Sequence, residues 1–305
     1  MRMRNKSPPM ILEFAIADAY AQAFEYVKDP KSHGLVNDGK TFQQNPKYSD
    51  LKPGNFTDDT IRTICSASMV LSTDVSVLYN PKKHFFHLRQ YFFKLYRKGW
   101  SGRFQSFMEE NKDKDLDTVY NKIQRRDTNG AIMGILPFGY LPSVSEVKDI
   151  AAAHATSTHS ASTIPYAQAT ALCIWYLRNH KNNKKEALNL KDFLLDSVEE
   201  LHIFKGNPDN MKASDTFNVV LTQVENAVKN EKYMFQVLRD CVALGGDTDT
   251  IASLTAGIYS KTREHNFFGD DYFISKLEEI ESGNTETQAS ICELEENLEQ
   301  EFRLR

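Results

Sequence analysis

Gly245-Gly246-Asp247-Thr248-Asp249-Thr250-Ile251-Ala252 stands between two apolar segments of helical spacing, 235–244 before it and 251 to about 261 after it. Glycine tolerates positive φ, so the pair ends the first helix and lets the chain turn tightly. Two carboxylates and two hydroxyls then arrive where the next helix begins. Asp and Thr are common N-cap residues, and a capped helix start is the plain explanation of this stretch on its own.

A second stretch of the same kind changes that reading. Thr57-Asp58-Asp59-Thr60 follows Pro53-Gly54-Asn55-Phe56 and opens a helix from 61 to about 72. If the two starts meet, the carboxylates of Asp58, Asp59, Asp247 and Asp249 converge and repel unless a cation lies between them. Oxygen ligands from Asp and Thr suit a hard ion, Mg²⁺ or Mn²⁺, rather than zinc. Two such ions would orient sugar hydroxyls and lower the pKa of a bound water. Spacing along the chain does not by itself bring the clusters together.

Taken in order, Thr57-Asp58-Asp59-Thr60 and the octapeptide 245–252 resemble the two signature motifs of the ADP-ribosylglycohydrolase (DraG-like) family. The resemblance implies an all-α fold, a single compact multi-helix domain with a dinuclear Mg²⁺ or Mn²⁺ centre. It implies a hydrolase that removes ADP-ribose from modified side chains or acts on related ADP-ribose compounds. Thr57, Asp58, Asp59, Asp247, Asp249 and Thr250 would hold the ions, and Asp58 or Asp247 would exchange protons with water and leaving group.

Further segments extend the resemblance. Asp18 and Glu25 lie seven residues apart, two turns of one helix face if 10–27 is a continuous helix. They match the acids of a family Gly-Asp-Ala-x-Gly segment followed by Glu, with Ala17 and Ala21 in place of the glycines. A solvated helix face explains the pair equally well. In parts of the family this Glu gates the metal centre, which implies a catalytic-site role for Glu25 and a substrate-side place for Asp18. Asn129, Gly130, Met133, Pro137 and Gly139 match a family Asn-Gly-x-x-Met-Arg segment with its following Pro and Gly, but the arginine is Gly134 here. A guanidinium would bring charge and fixed hydrogen bonds, so either another cation compensates or the substrate side differs. Thr158-His159 matches a family Thr-His pair whose histidine lies near the distal ribose; a hydrogen-bonded structural histidine is the alternative. Asn129, Gly130, His159 and Asp18 are thus the expected substrate-binding residues, and His154 reads as packing.

Composition narrows the class. At 305 residues, 41% hydrophobic and 26% charged, the chain is an ordinary globular protein, and a net charge of −4 argues against a general nucleic-acid binder. No apolar run approaches a membrane span, and no apolar segment with a cleavage site follows the basic start, so a cytoplasmic location is expected. Cys65, Cys173, Cys241 and Cys292 are far apart and form no Cys-x-x-Cys pair, which argues against zinc and dithiol chemistry.

The remaining stretches fit around these. Residues 28–56 read as a long polar loop placed to wall the site. Residues 84–100, HFFHLRQYFFKLYRKGW, are both aromatic and basic, a composition that can stack on nucleic-acid bases. Their aromatic spacing on one helix face favours an amphipathic core helix instead. The expected division is a flexible N-terminus (1–9), a helical domain (10–265) and an acidic helical extension (266–305). The stripe Ile291, Leu294, Leu298 and Phe302 in that extension would dock on the body or support an oligomer. The function expected is a metal-dependent hydrolase, using two Mg²⁺ or Mn²⁺ ions, that cleaves the N- or O-glycosidic bond of ADP-ribosylated protein side chains. Its partners would be such a protein or an ADP-ribose-containing small molecule, with no membrane and no nucleic acid. The alternative is a catalytically inactive ADP-ribose-binding or structural member of the same fold, which Gly134 and the missing glycines favour; the intact acids favour the enzyme.

Overall fold

In the computed structural model of the protein the described residues are 10–71, 75–95, 99–180, 184–262 and 286–302. The expectations for 1–9 and 263–285 lie outside them, as does the side chain of Cys292. The helices run α1 (Met10–Ala21), α2 (Asp58–Val70), α3 (Val75–Leu78), α4 (Pro81–Lys94), α5 (Gly102–Glu110), α6 (Leu116–Asn121), α7 (Val144–Thr158) and α8 (Ile164–Asn179). They continue as α9 (Lys184–Leu188), α10 (Leu190–Ser197), α11 (Ala213–Lys229), α12 (Met234–Ala243), α13 (Thr248–Ser260) and α14 (Glu286–Glu301). Among the described residues there is no strand, only two isolated bridges, Arg126 with His159 and Thr128 with Lys212. The all-α expectation holds.

Two helices form the centre. α1 reads MILEFAIADAYA, apolar on every side, and all 12 of its residues are buried. A helix without a polar face has no side to give to water, so it goes to the middle. α13 is buried along its whole length as well and lies beside α1. Gly257 permits part of that approach, since a Cβ there would stand 2.6 Å from Leu136 Cδ1 and 3.3 Å from Phe14 Cδ2. α11 and α12 cover α13, α2 lies against α1, and α7, α8 and α4 complete the body.

Helix boundaries correct two expectations. α1 stops at Ala21 and passes into a 3-10 turn, Gln22–Phe24, so Asp18 and Glu25 do not share one helix face. α2 and α13 begin at Asp58 and Thr248, three residues earlier than the apolar pattern suggested, which puts Asp58, Asp59 and Asp249 inside first turns. Residues 84–94 of the aromatic segment lie in α4, with Phe85, Leu88 and Phe92 buried, as an amphipathic core helix should; residues 96–98 lie outside the described residues. Asn80 caps it by accepting from Lys82 N at 3.0 Å, with Pro81 at its first position. His154 packs edge-on against His84, ring centroids 5.4 Å apart, and beside Phe138. Cys65, Cys173 and Cys241 are buried free thiols.

α14 docks on the body rather than offering its stripe outward. Ile291 and Leu298 are buried, with Leu294 and Phe302 packed against the core. The polar side of the joint is a buried charge cluster. Lys261 Nζ lies 3.3 Å from Glu295 Oε1 and 3.0 Å from Glu299 Oε1, and the Tyr140 hydroxyl lies 2.7 and 3.0 Å from the same two carboxylates. Glu295 also accepts Met10 N at 3.0 Å and Ile11 N at 2.6 Å, so it caps α1 from the far end of the chain. Of the two expectations for the stripe, docking on the body is the one the described residues show.

Burial raises the Glu299 carboxyl, but the Lys261 charge and hydrogen bond outweigh it and hold it at about 2, below its ordinary 4.5. A lowered folded pKa contributes stability above the unfolded value, lost as pH falls through the folded one. Glu299→Gln should therefore cost about 1.5–3 kcal/mol at neutral pH, as for a hydrogen bond to a charged group. Urea unfolding should show that gap narrowing steadily below about pH 4.5; a gap independent of pH would contradict the assignment.

Candidate metal centre

The second acidic stretch is organised from outside its own helix. Thr57 occupies the N-cap position of α2, yet its side chain makes no capping bond. Asp18, fully buried on α1, does that work. Its Oδ2 accepts Thr57 N at 2.9 Å, Thr60 N at 3.1 Å and Thr60 Oγ1 at 2.6 Å, while its Oδ1 accepts Thr57 Oγ1 at 2.9 Å. Three of the four bonds fall on Oδ2 and one on Oδ1, so Oδ2 is fully engaged and Oδ1 keeps acceptor capacity. These bonds give Asp18 a positioning role at the start of α2.

The octapeptide's turn needs its glycines. Gly245 and Gly246 both have φ of +73°, and a Cβ on Gly246 would lie 2.1 Å from the Pro208 carbonyl oxygen. Asp247 then stands at the N-cap of α13 without capping it; its Oδ2 accepts from Asn129 Nδ2 at 2.7 Å. The capping explanation fails for both acidic starts, which leaves their carboxylates free to face each other.

They do meet. Thr250 Oγ1 donates to Asp59 Oδ2 at 3.1 Å, joining α13 to α2. Glu25, Asp247 and Asp249 each offer an oxygen within 4.8 Å of the others. Thr248 Oγ1 donates to the Ala21 carbonyl at 2.9 Å, fixing α13 against the end of α1. Asp58, Asp59, Asp247 and Asp249 are all buried. Burial, followed by the charges of the neighbouring acids, pushes Glu25, Asp59 and Asp249 well above the usual carboxylate range. Asp58 rises to about 7 by burial, although Arg62 pulls it back. Dry carboxylates that raise one another's pKa, ringed by threonine hydroxyls, form an all-oxygen donor set fit for hard divalent cations.

The flank of the cluster is neutral or cationic. Gly130 follows Asn129 in a short 3-10 turn, and a Cβ there would lie 2.8 Å from His159 Nε2. His159 ends α7, contacts Thr158 Oγ1 through Nδ1 at 2.8 Å, and is pushed down to about 3 by burial and the Arg62 charge, so its ring is neutral. Asn129 thus reaches the acids directly, whereas Gly130 and His159 form the adjoining wall. Asp127, at the head of that segment, points outward to Lys212 at 3.6 Å.

Sequence reasoning missed three neighbours. Arg62 stands one turn after Asp58, and an acid-base pair at that helical spacing was the available signal. Tyr48, from the 28–56 loop, is raised to about 12 by burial and by Glu25, Asp249 and Asp247, so the loop does reach the cluster. Tyr26 adopts φ of +51°, an outlier for an aromatic residue, held by its N–H on the Gly246 carbonyl at 2.9 Å and by Lys47 on its own carbonyl. This kink follows Glu25 directly and turns the chain beside the acids; no sequence pattern announces it.

The model of the ADP-ribosylglycohydrolase family matches residues 9–260. A solved structure described as an ADP-ribosylglycohydrolase-related protein complex is similar in fold, with a TM-score of 0.65 at 18% identity, covering 96% of this chain and 96% of that one. No curated protein matches the chain. No described helix is long and apolar enough to cross a membrane.

Asp59 is raised when folded, so above its ordinary 3.8 its ionisation weighs against the metal-free fold, and increasingly so as pH rises. In EDTA, Asp59→Asn should unfold at a higher temperature than the native chain, with the difference growing from about pH 4 toward neutrality. In Mn²⁺ the order should reverse, because the native site gains binding energy that the variant loses. Thermal scans showing the variant less stable in EDTA at neutral pH would refute this.

Proposed function

The chain belongs to the ADP-ribosylglycohydrolase family, and from that premise we propose that it hydrolyses the glycosidic bond of ADP-ribosylated protein side chains at a centre of two Mg²⁺ or Mn²⁺ ions. The carrying observation is the meeting of the two acidic helix starts, marked by Thr250 on Asp59 at 3.1 Å and by Glu25, Asp247 and Asp249 within 4.8 Å. Thr57, Asp58, Asp59, Asp247, Asp249 and Thr250 are the proposed ligands. The bound ions would supply Lewis acidity, an ordered ribose diol and a water of lowered pKa.

The protein's own groups divide the remaining work. Asp18 fixes the start of α2 through Thr57 and Thr60, so Asp58 and Asp59 present their oxygens without rearrangement. Asn129 holds Asp247 from the opposite side. Asp58 and Asp247 are the proposed proton carriers between water and leaving group; a carboxyl near neutrality, as burial makes Asp58, suits both directions. Glu25, next to the kink at Tyr26, is the proposed gate. Cleavage develops positive charge at the anomeric carbon, and buried carboxylates stabilise such charge strongly. His159, neutral and beside Gly130, is the proposed contact for the distal ribose, adding no positive charge against that carbon.

The test is release of free ADP-ribose from arginine- and serine-modified substrates in Mg²⁺, Mn²⁺ or EDTA. We expect release in metal alone, and its loss in Asp249→Ala by more than the about 10–100-fold that outer-shell partners cost. ADP-ribose that binds the protein while neither substrate is cleaved would defeat the hydrolase for these linkages and make the chain a reader.

A further inference from the structure

Arg62 sits in the wall of the acidic centre, only 5% exposed. Its Nε lies 3.5 Å from Asp58 Oδ2, and its Nη1 donates to the Gly130 carbonyl at 3.2 Å. Trp100 and Phe104 stack with each other and place their rings 5.0 and 5.4 Å from the guanidinium carbon, closing off water. Gly130 is joined by its own peptide bond to Asn129, which holds Asp247 at 2.7 Å. A continuous set of contacts therefore runs from Asp58 through Arg62 and the Asn129–Gly130 turn to Asp247. It links the two acidic helix starts without any metal.

We infer that Arg62 is a positioning residue of this centre, a permanent cation that holds Asp58 and, through the Asn129–Gly130 turn, Asp247 at the spacing the ions require. Three observations lead there. Asp18, Glu25, Asp58, Asp59, Asp247 and Asp249 gather more negative charge than two divalent ions neutralise, and a guanidinium stays charged even in a dry wall. Its guanidinium donates a hydrogen bond to the Gly130 carbonyl through Nη1 while its Nε stands in an ion pair with Asp58 at 3.5 Å, two contacts that one planar group makes together. Space is reserved for it as well: Gly134 has φ of +67°, and a Cβ there would lie 2.6 Å from Arg62 C and 2.7 Å from Arg62 O. The bare position at 134 thus accommodates the α2 backbone at Arg62, and the cation of this wall comes from α2.

The consequence for metal binding rests on the proposed centre, but the linkage itself is testable without metal. Calorimetric Mn²⁺ titration should show Arg62→Met weakening affinity by about 10–100-fold, as expected for a residue that orients ligands, with Arg62→Lys between the two. In EDTA above neutral pH, a double-mutant cycle should show the unfolding cost of Arg62→Met at least halved in an Asp58→Asn background, because the ion pair is already gone. Unchanged or tighter Mn²⁺ binding by folded Arg62→Met, or equal costs in both backgrounds, would overturn the inference. Should Arg62→Met not fold, Arg62→Lys keeps the charge and loses the fork, and native Mn²⁺ affinity in that variant would overturn it equally. A chain that binds Mn²⁺ as expected yet releases no ADP-ribose would remove the hydrolase reading and leave this one standing.

Discussion

Like charges in a dry interior repel, and every element around the centre answers that repulsion. Carboxylates from the turn after α1, the start of α2 and the start of α13 gather there, and burial makes Glu25, Asp58, Asp59 and Asp249 harder to ionise. A hydrophobic core of ordinary quality would not choose this arrangement, since an uncompensated buried charge costs several kcal/mol. It persists because the carboxylates are pinned from behind. Asp18 fixes α2, Asn129 holds Asp247, Thr250 bridges to Asp59, and Arg62 adds a fixed positive charge.

The unused caps reveal how the strain is managed. Thr57 and Asp247 stand at N-cap positions, where their side chains would normally satisfy their own helices. Neither does so. For α2 the task is transferred to Asp18 on another helix, which frees the local side chains to face a ligand. Carboxylates at a helix N-terminus are also favoured by the helix dipole, so the two acidic starts recover part of the cost of their crowding.

Much of this was legible in the chain. The two hydroxyl-carboxylate stretches carried the fold and the acids because glycine turns and helix starts leave local signatures. The placing of Glu25 was not legible: the helix expected to put it beside Asp18 ends at Ala21, and the turn with positive φ at Tyr26 brings it near Asp247 and Asp249 instead. The capping role of Asp18 was not legible, because its type fits a ligand as well as a cap and the four donors around it come from another helix. Arg62 leaves no signal toward Gly134 in the chain, because it stands 72 positions earlier and comes close only after α2 packs on that turn. Gly134 was legible as a departure, its cause was not.

The helix starts form a relay that ties the far end of the chain to the centre. Glu295 on α14 accepts the first amides of α1; Asp18 on α1 accepts those of α2; Thr248 at the head of α13 donates to the last carbonyl of α1. Each bond satisfies a terminal group that its own helix cannot, so each helix is set in place by the next rather than by local sequence. α1 lies at the middle of the relay and is buried throughout, so it slides poorly and transmits position well: close-packed interiors move as units. This explains why α14, outside the residues that the family model matches, still carries a buried lysine–glutamate cluster. It anchors the helix against which both acidic starts are aligned, and the precision of a crowded carboxylate centre depends on that helix standing still.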